Sequence, residues 1–193
     1  MLLHLVLLLT FTYIASSVNF SIVLFKILGK EDPRKQFSGN AGATNVYRQA
    51  GFFWAATVLL LDMGRAMLIF LVSLHLLNYQ YVTFPGFALI LGNRFPCFHQ
   101  FKGGKGVANY LGFTLILAPI SSLIASLAWL LVFLFSRIPF ISSFAMVLIL
   151  GMGTVMRFSE QLPTTAATLA TVAFILINHK QNIIEFTEKN SRK

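Results

Sequence analysis

One cysteine, four histidines and six acidic residues in a chain of 193 close several routes to a stable fold. With Cys97 alone, no disulfide framework can form. One Cys and four widely separated His are too few ligands for a structural zinc site. Charge is scarce as a whole: Asp, Glu, Lys and Arg make up 11% of the chain, against roughly 25% in soluble domains. That is too little to cover a globular surface. Apolar side chains are abundant instead, at 56% of residues, with 20 Phe that read as lipid-facing and core groups. The chain therefore reads as an all-α integral membrane protein, a polytopic helical bundle in one domain over residues 1–193. No internal repeat or low-complexity segment interrupts it.

A helix needs about 20 apolar residues to cross the hydrocarbon core. Met1 to Phe25 qualifies. It lacks the basic start of a secretory leader, so it reads as a retained first helix. Phe52 to Leu77 is a second span, and Val82 to Leu91, bounded by Pro85 and Gly92, is a short third. Val107 to Phe135 is too long for one crossing. Pro119 divides it into a short helix and a full one, because proline lacks an N–H and clashes with the preceding turn. Pro139 to Met156 and Leu162 to His179 complete seven expected crossings, two of them short.

Twelve of the 15 basic residues cluster, leaving Arg65, Arg137 and Arg157 scattered. Lys26, Lys30, Arg34, Lys35 and Arg48 fall in the first connection. Arg94, Lys102 and Lys105 fall in a second. Lys180, Lys189, Arg192 and Lys193 close the chain. Cytoplasmic loops collect Lys and Arg. An outward N-terminus and seven crossings put residues 26–51, residues 92–106 and the tail on the cytoplasmic side, in agreement with the three clusters.

Each cluster carries polar chemistry beside apolar helices, where ionisable groups are functional candidates. The first reads Phe37-Ser38-Gly39-Asn40-Ala41-Gly42-Ala43-Thr44-Asn45-Val46-Tyr47-Arg48. Small residues permit close backbone approach, and a helix starting near Ala41 would aim N–H groups at an anion. Asn45 and Arg48 would share a face of it. The second contains Lys102-Gly103-Gly104-Lys105-Gly106, which suits a phosphate nest but is not a Walker A loop. In the third, His179 and Asn182 share a face at the end of the last helix. Each has a plainer reading: a packed interfacial turn, a flexible basic loop, a helix terminus. Asp62 and Arg65, three residues apart in the second span, read as a structural ion pair before a proton relay. His4 and His75 read as packing or interfacial groups.

Together the three clusters resemble one family, PlsY, the bacterial membrane glycerol-3-phosphate acyltransferases that use acyl phosphate. Ser38-Gly39-Asn40-x-Gly42-Ala43-Thr44-Asn45-x-x-Arg48 is similar to its first motif. Phe95-Pro96, then Phe101-Lys102-Gly103-Gly104-Lys105-Gly106-Val107-Ala108, is similar to its second, and His179-x-x-Asn182-Ile183 to its third. The chain departs from the family pattern at several places. Phe37 stands where the family usually has Gly, Asn93 for His, Asn109 for Thr, Asn178 for Arg and Glu185 for a basic residue; the closing Gly-Thr-Glu is reduced to Thr187-Glu188.

The resemblance implies seven membrane helices, an outward N-terminus and an active site on the cytoplasmic face of the bacterial inner membrane. The implied reaction moves an acyl group from acyl phosphate to the 1-hydroxyl of glycerol 3-phosphate, giving lysophosphatidic acid and phosphate. It implies Ser38, Lys105, His179 and Asn182 as catalytic residues. Gly39, Asn40, Gly42, Thr44, Asn45, Arg48, Lys102, Gly103, Gly104 and Gly106 would bind substrate. No cofactor, metal or nucleic acid is implied; the expected partners are the two substrates and membrane lipid. Two readings of the proton remain open. His179 is the base, or it orients substrate while the departing phosphate takes the proton. No His has an Asp four residues later, the pattern of another acyltransferase family. An activated donor with an anionic leaving group favours substrate assistance. A non-catalytic relative that binds a phosphorylated ligand, and a small transporter with broken helices, are the alternatives.

Overall fold

The structure, a computed structural model, describes residues 2–191, without the side chain of Asn190; Arg192 and Lys193 of the third basic cluster lie outside them. Among the described residues the regular structure is helical. The helices are α1 (Leu2–Ser16), α2 (Phe20–Ile27), α3 (Ala43–Ala50), α4 (Phe52–Leu76), α5 (Phe84–Arg94), α6 (Val107–Leu117), α7 (Pro119–Ser136), α8 (Pro139–Arg157), α9 (Leu162–Ile177) and α10 (Lys180–Ser191). Short 3-10 turns occupy Pro33–Lys35 and Tyr79–Tyr81. Five stretches are long and apolar enough to cross a membrane: Leu2–Ile27, Phe52–Leu76, Pro119–Ser136, Pro139–Arg157 and Leu162–Lys189. The chain is a multi-pass membrane protein. Helices α5 and α6, with 11 residues each, are shorter.

The first apolar stretch is not one helix, as its composition suggests, but two. The Ser16 and Ser17 hydroxyls donate to the Tyr13 carbonyl at 3.1 and 2.9 Å, competing with the helical ladder. Asn19 then caps α2, its Oδ1 accepting from the Ile22 N–H at 3.1 Å. The break frees backbone carbonyls, which need partners. Arg65 of α4 takes them. Its guanidinium donates to the Val18 carbonyl at 2.6 Å and to that of Ala15 at 3.3 Å. The same side chain donates to Asp62 Oδ1 and Asn109 Oδ1, both at 2.8 Å. The expected Asp62–Arg65 pair is present, and it joins α1, α2, α4 and α6.

The split at Pro119 is also observed. Ala118 leaves helical geometry (φ −142°, ψ 71°), and Pro119 opens α7 at a position where its missing N–H costs nothing. Elsewhere Ser and Thr hydroxyls inside helices return to carbonyls one turn back, as Thr114 does to Tyr110 and Thr171 to Ala167. Beyond Ile177 the apolar pattern ends, yet α10 follows as a polar helix.

Neighbouring helices pair α1 with α5, α3 with α4, α4 with α6, and α7 with α8. Backbones meet directly at the α4–α6 crossing. A Cβ on Gly112 would sit 2.5 Å from Met63 Cα, so only glycine fits there. One apolar cluster joins Ile90, Tyr110, Val147, Leu150 and Ile175, and another Val58 with Phe25 and Val46. These clusters hold the polar ends of α3, α5, α6 and α9 close together.

Candidate active site

A cavity of about 820 Å³ opens among those ends. Its wall gathers residues from all three polar clusters: Ser38, Asn40, Gly42, Thr44, Asn45 and Arg48 from the first, Gly104, Lys105 and Gly106 from the second, His179 and Asn182 from the third. Positions 38 and 182 are 144 residues apart in sequence. The structure does not place Gly39, Lys102 or Gly103 in this wall. Lys102 is exposed. The Gly103 N–H donates to the Arg94 carbonyl at 3.1 Å and that of Gly104 to the Asn93 carbonyl at 2.9 Å. Both amides are spent docking the loop on α5, so the glycines act through close packing. A Cβ on Gly103 would lie 2.0 Å from the Asn93 oxygen.

Helix α3 begins at Ala43, with Gly42 in extended geometry before it. Asn45 is buried and turned to structural work: Nδ2 donates to the Pro33 carbonyl at 2.7 Å and to that of Gln36 at 3.2 Å. Its Oδ1 is a buried acceptor with no partner among the described residues. Arg48, one turn on, carries its charge to the cavity.

Lys105 is the centre of the second cluster. Gly106 follows it with φ +92°, a conformation that favours glycine, and starts α6. Lys105 Nζ donates to Asn182 Oδ1, which links the second and third clusters. Burial pulls the Lys105 ammonium down to about 8; Arg94 adds repulsion, Glu185 opposes it and Arg48 repels further.

His179 is buried between α9 and α10. Its Nδ1 lies 2.9 Å from the Ile175 carbonyl. A carbonyl only accepts, so Nδ1 carries the proton and Nε2 of the neutral ring is the acceptor. The edge of the ring packs on Phe144 at 5.3 Å between centroids. The ring's orienting partner is thus a backbone oxygen.

The departures from the family pattern fall in or beside this cavity. Asn93, Asn109 and Glu185 line it, and Asn178 Nδ2 reaches the Lys105 carbonyl at 3.4 Å. Phe37 also lines it and has φ +52°, the backbone region that glycine occupies without strain. Sequence reading did not single out several further wall residues, among them Arg137 in the α7–α8 turn, and Phe186 and Lys189 on α10. Arg137 follows from the split at Pro119, which returns the chain to the same end. The α10 residues had no comparable signal.

A sequence model of the family described as glycerol-3-phosphate acyltransferase matches residues 6–189. The chain belongs to the glycerol-3-phosphate acyltransferase family. The enzyme so named from Pseudomonas paraeruginosa is 37% identical over 173 residues, 89% of each chain. That from Azotobacter vinelandii is 43% identical over 126 residues, 65% of this chain and 67% of the relative. The crystal structure of PlsY, an integral membrane glycerol 3-phosphate acyltransferase, in its glycerol 3-phosphate form, superposes with a TM-score of 0.88. It is 30% identical, and the match covers 96% of this chain and 92% of that one. The lysophosphatidic acid form of PlsY gives 0.85 at 29% identity. The resemblance read from three short motifs is borne out along the chain.

Proposed function

We propose that this member of the glycerol-3-phosphate acyltransferase family transfers a fatty acyl group from acyl phosphate to the 1-hydroxyl of sn-glycerol 3-phosphate. The products are lysophosphatidic acid and inorganic phosphate, the first step of phospholipid synthesis. The observation that carries this reading is the meeting of Ser38, Arg48, Lys105, His179 and Asn182 in one cavity. Both substrates bear phosphate, and Arg48 and Lys105 supply charge-assisted donors for them. Leu111, Trp129, Phe140 and Met146 form an apolar part of the wall suited to an acyl chain.

In the reaction the glycerol oxygen bonds to the acyl carbonyl carbon. The carbonyl–oxygen bond to phosphate breaks, and the hydroxyl proton leaves on the phosphate. Lys105 and the Ser38 hydroxyl steady the negative charge that develops on the carbonyl oxygen. His179 Nε2 accepts from the attacking hydroxyl and orients it, with Asn182 holding Lys105. Purified protein given both substrates should release phosphate at a rate that requires both, above the spontaneous hydrolysis of acyl phosphate. No such release from folded protein would end the proposal.

The same reading makes the chain one domain of seven crossings in the bacterial inner membrane, with α5 and α6 as the short ones. Its N-terminus lies outside and the cavity faces the cytoplasm. An amine reagent confined to one side of sealed vesicles should label Lys35 and Lys102 from the same side. Labelling from opposite sides would refute this topology.

The two proton routes predict different variants. If phosphate takes the proton, His179→Asn keeps a polar partner and retains much of the activity, while His179→Ala loses more. The acid limb of kcat/KM then survives, because it reports phosphate ionisation. If His179 is the base, both variants lose about 10²–10⁴-fold and the limb disappears. We expect the first pattern. Loss of the limb in His179→Asn, with a thousandfold fall in rate, would make His179 the base.

A further inference from the structure

Outside the cavity wall, one side chain spans two of the polar clusters. Arg34 sits in the first connection, 65 residues before His99 and 68 before Lys102. Its Nη1 donates to the His99 carbonyl at 2.7 Å and to the Lys102 carbonyl at 2.8 Å. Asp32 holds the other side of the guanidinium. Arg34 Nε donates to Asp32 Oδ1 at 2.9 Å and Nη2 to Oδ2 at 2.6 Å. The guanidinium is therefore fixed as a planar fork, a geometry that lysine cannot copy.

The segment it grips resists its own shape. Gln100 and Phe101 both have positive φ, +57° and +56°, in the region that side chains disfavour. The turn is otherwise closed by its own amides, Phe101 N–H to the Pro96 carbonyl at 3.0 Å and Lys102 N–H to that of His99 at 3.2 Å. It leads straight into Gly103 and Gly104, docked on α5, and then into Lys105. The near side is anchored too. Asn45 and Gln49 of α3 both donate to the Pro33 carbonyl, at 2.7 and 2.9 Å. A continuous chain of bonds thus runs from α3 through Pro33, Asp32 and Arg34 to the turn that carries Lys105.

We propose that Arg34, clamped by Asp32, is a positioning residue that sets the placement of Lys105 by holding the 96–102 turn in its strained form. This rests on the acyl-transfer reading of the cavity for its kinetic consequences, but the clamp itself can be tested without them. Releasing the turn hydrates Lys105 and moves it relative to the groups that face it: Arg48 on α3, Arg94 on α5, His179 ahead of α10, and Glu185 on α10. Arg34 itself is outside the cavity wall, so its effect is indirect.

The test uses the full-length protein in detergent, with Arg34→Gln, Arg34→Lys and Asp32→Asn. In Arg34→Gln, amide hydrogen exchange over 99–104 should accelerate at least tenfold, with α4 and α8 unchanged. kcat/KM for glycerol 3-phosphate should fall at least tenfold, and its alkaline limb should move up toward that of an ordinary lysine. Arg34→Lys should fall between parent and Arg34→Gln, and Asp32→Asn should shift the limb in the same direction. Parental exchange in Arg34→Gln would overturn the clamp. A fall in rate with an unmoved limb would overturn the positioning of Lys105 and leave only a stability role. If Arg34→Gln does not fold, Asp32→Asn decides by the same two readouts. An inactive parent with exchange that still responds to Arg34 would refute the acyl-transfer reading and leave the clamp standing.

Discussion

Lys105→Ala is expected to lower kcat/KM for glycerol 3-phosphate by about 10²–10³-fold, the usual cost of removing one donor aimed at developing charge. Thermal stability should not fall with it. Lys105 lies near the cations Arg94 and Arg48 and the anion Glu185, and burial with Arg94 pulls its ammonium down to about 8. Phosphate binding needs the protonated form, so wild-type kcat/KM should hold from the top of its acid limb to about pH 8 and decline above it. Stability runs the opposite way. In the unfolded chain the lysine regains its ordinary value of 10.5. Between pH 8 and 10.5 the unfolded state binds the extra proton, so stability rises with pH across that window. Below pH 8 the buried ammonium opposes folding, and alanine removes that opposition. Thermal unfolding and steady-state rates measured together on Lys105→Ala check both halves. Parental kinetics in the folded variant would remove Lys105 from the site.

Arg65→Leu is expected to cost about 3–5 kcal/mol, because it leaves the Asp62 carboxylate buried and unpaired. Arg65 and Asp62 side chains are 9% and 7% exposed and meet at 2.8 Å. The loss should exceed that of a simple pair, since Arg65 also satisfies the Ala15 and Val18 carbonyls at the α1–α2 break and reaches Asn109 on α6. Asp62→Leu/Arg65→Leu should recover part of the stability, because two apolar side chains need no partners. The remainder measures the Ala15 and Val18 carbonyls and the Asn109 oxygen left without Arg65. Denaturant unfolding of the parent, the two single variants and the double in one detergent closes the cycle. Arg65→Leu within 1 kcal/mol of the parent would show that the break does not depend on Arg65.

Much of this protein was legible from composition, because the bilayer is a severe solvent. Scarce charge and long apolar runs leave helices as the natural solution, and Pro119 breaks a run that no single helix needs. The motifs were legible as well, since glycines, amides and lysines at the ends of apolar helices are costly without a use. Their division of labour was not. Gly103 and Asn45 have the residue types of ligand contacts, yet Gly103 packs on the Asn93 carbonyl and Asn45 holds Pro33. Residue type states what a group can bond to; only the chain's path decides which partner arrives first.

By itself, then, the sequence determined the membrane class, the helical architecture, the Asp62–Arg65 pair and the family. Each follows from local chemistry: hydropathy, proline geometry, charges three residues apart, or short motifs. Tertiary structure alone decided the repair of the first helix's break by Arg65, the entry of Arg137 and Lys189 into the cavity wall, and the reach of Arg34 to His99 and Lys102. Those contacts join residues 47 to 68 positions apart, or distant helices, and no local pattern encodes them. The reason is physical. A guanidinium satisfies any carbonyl within its reach, and what lies within its reach is fixed by how α1, α4, α5 and α6 pack.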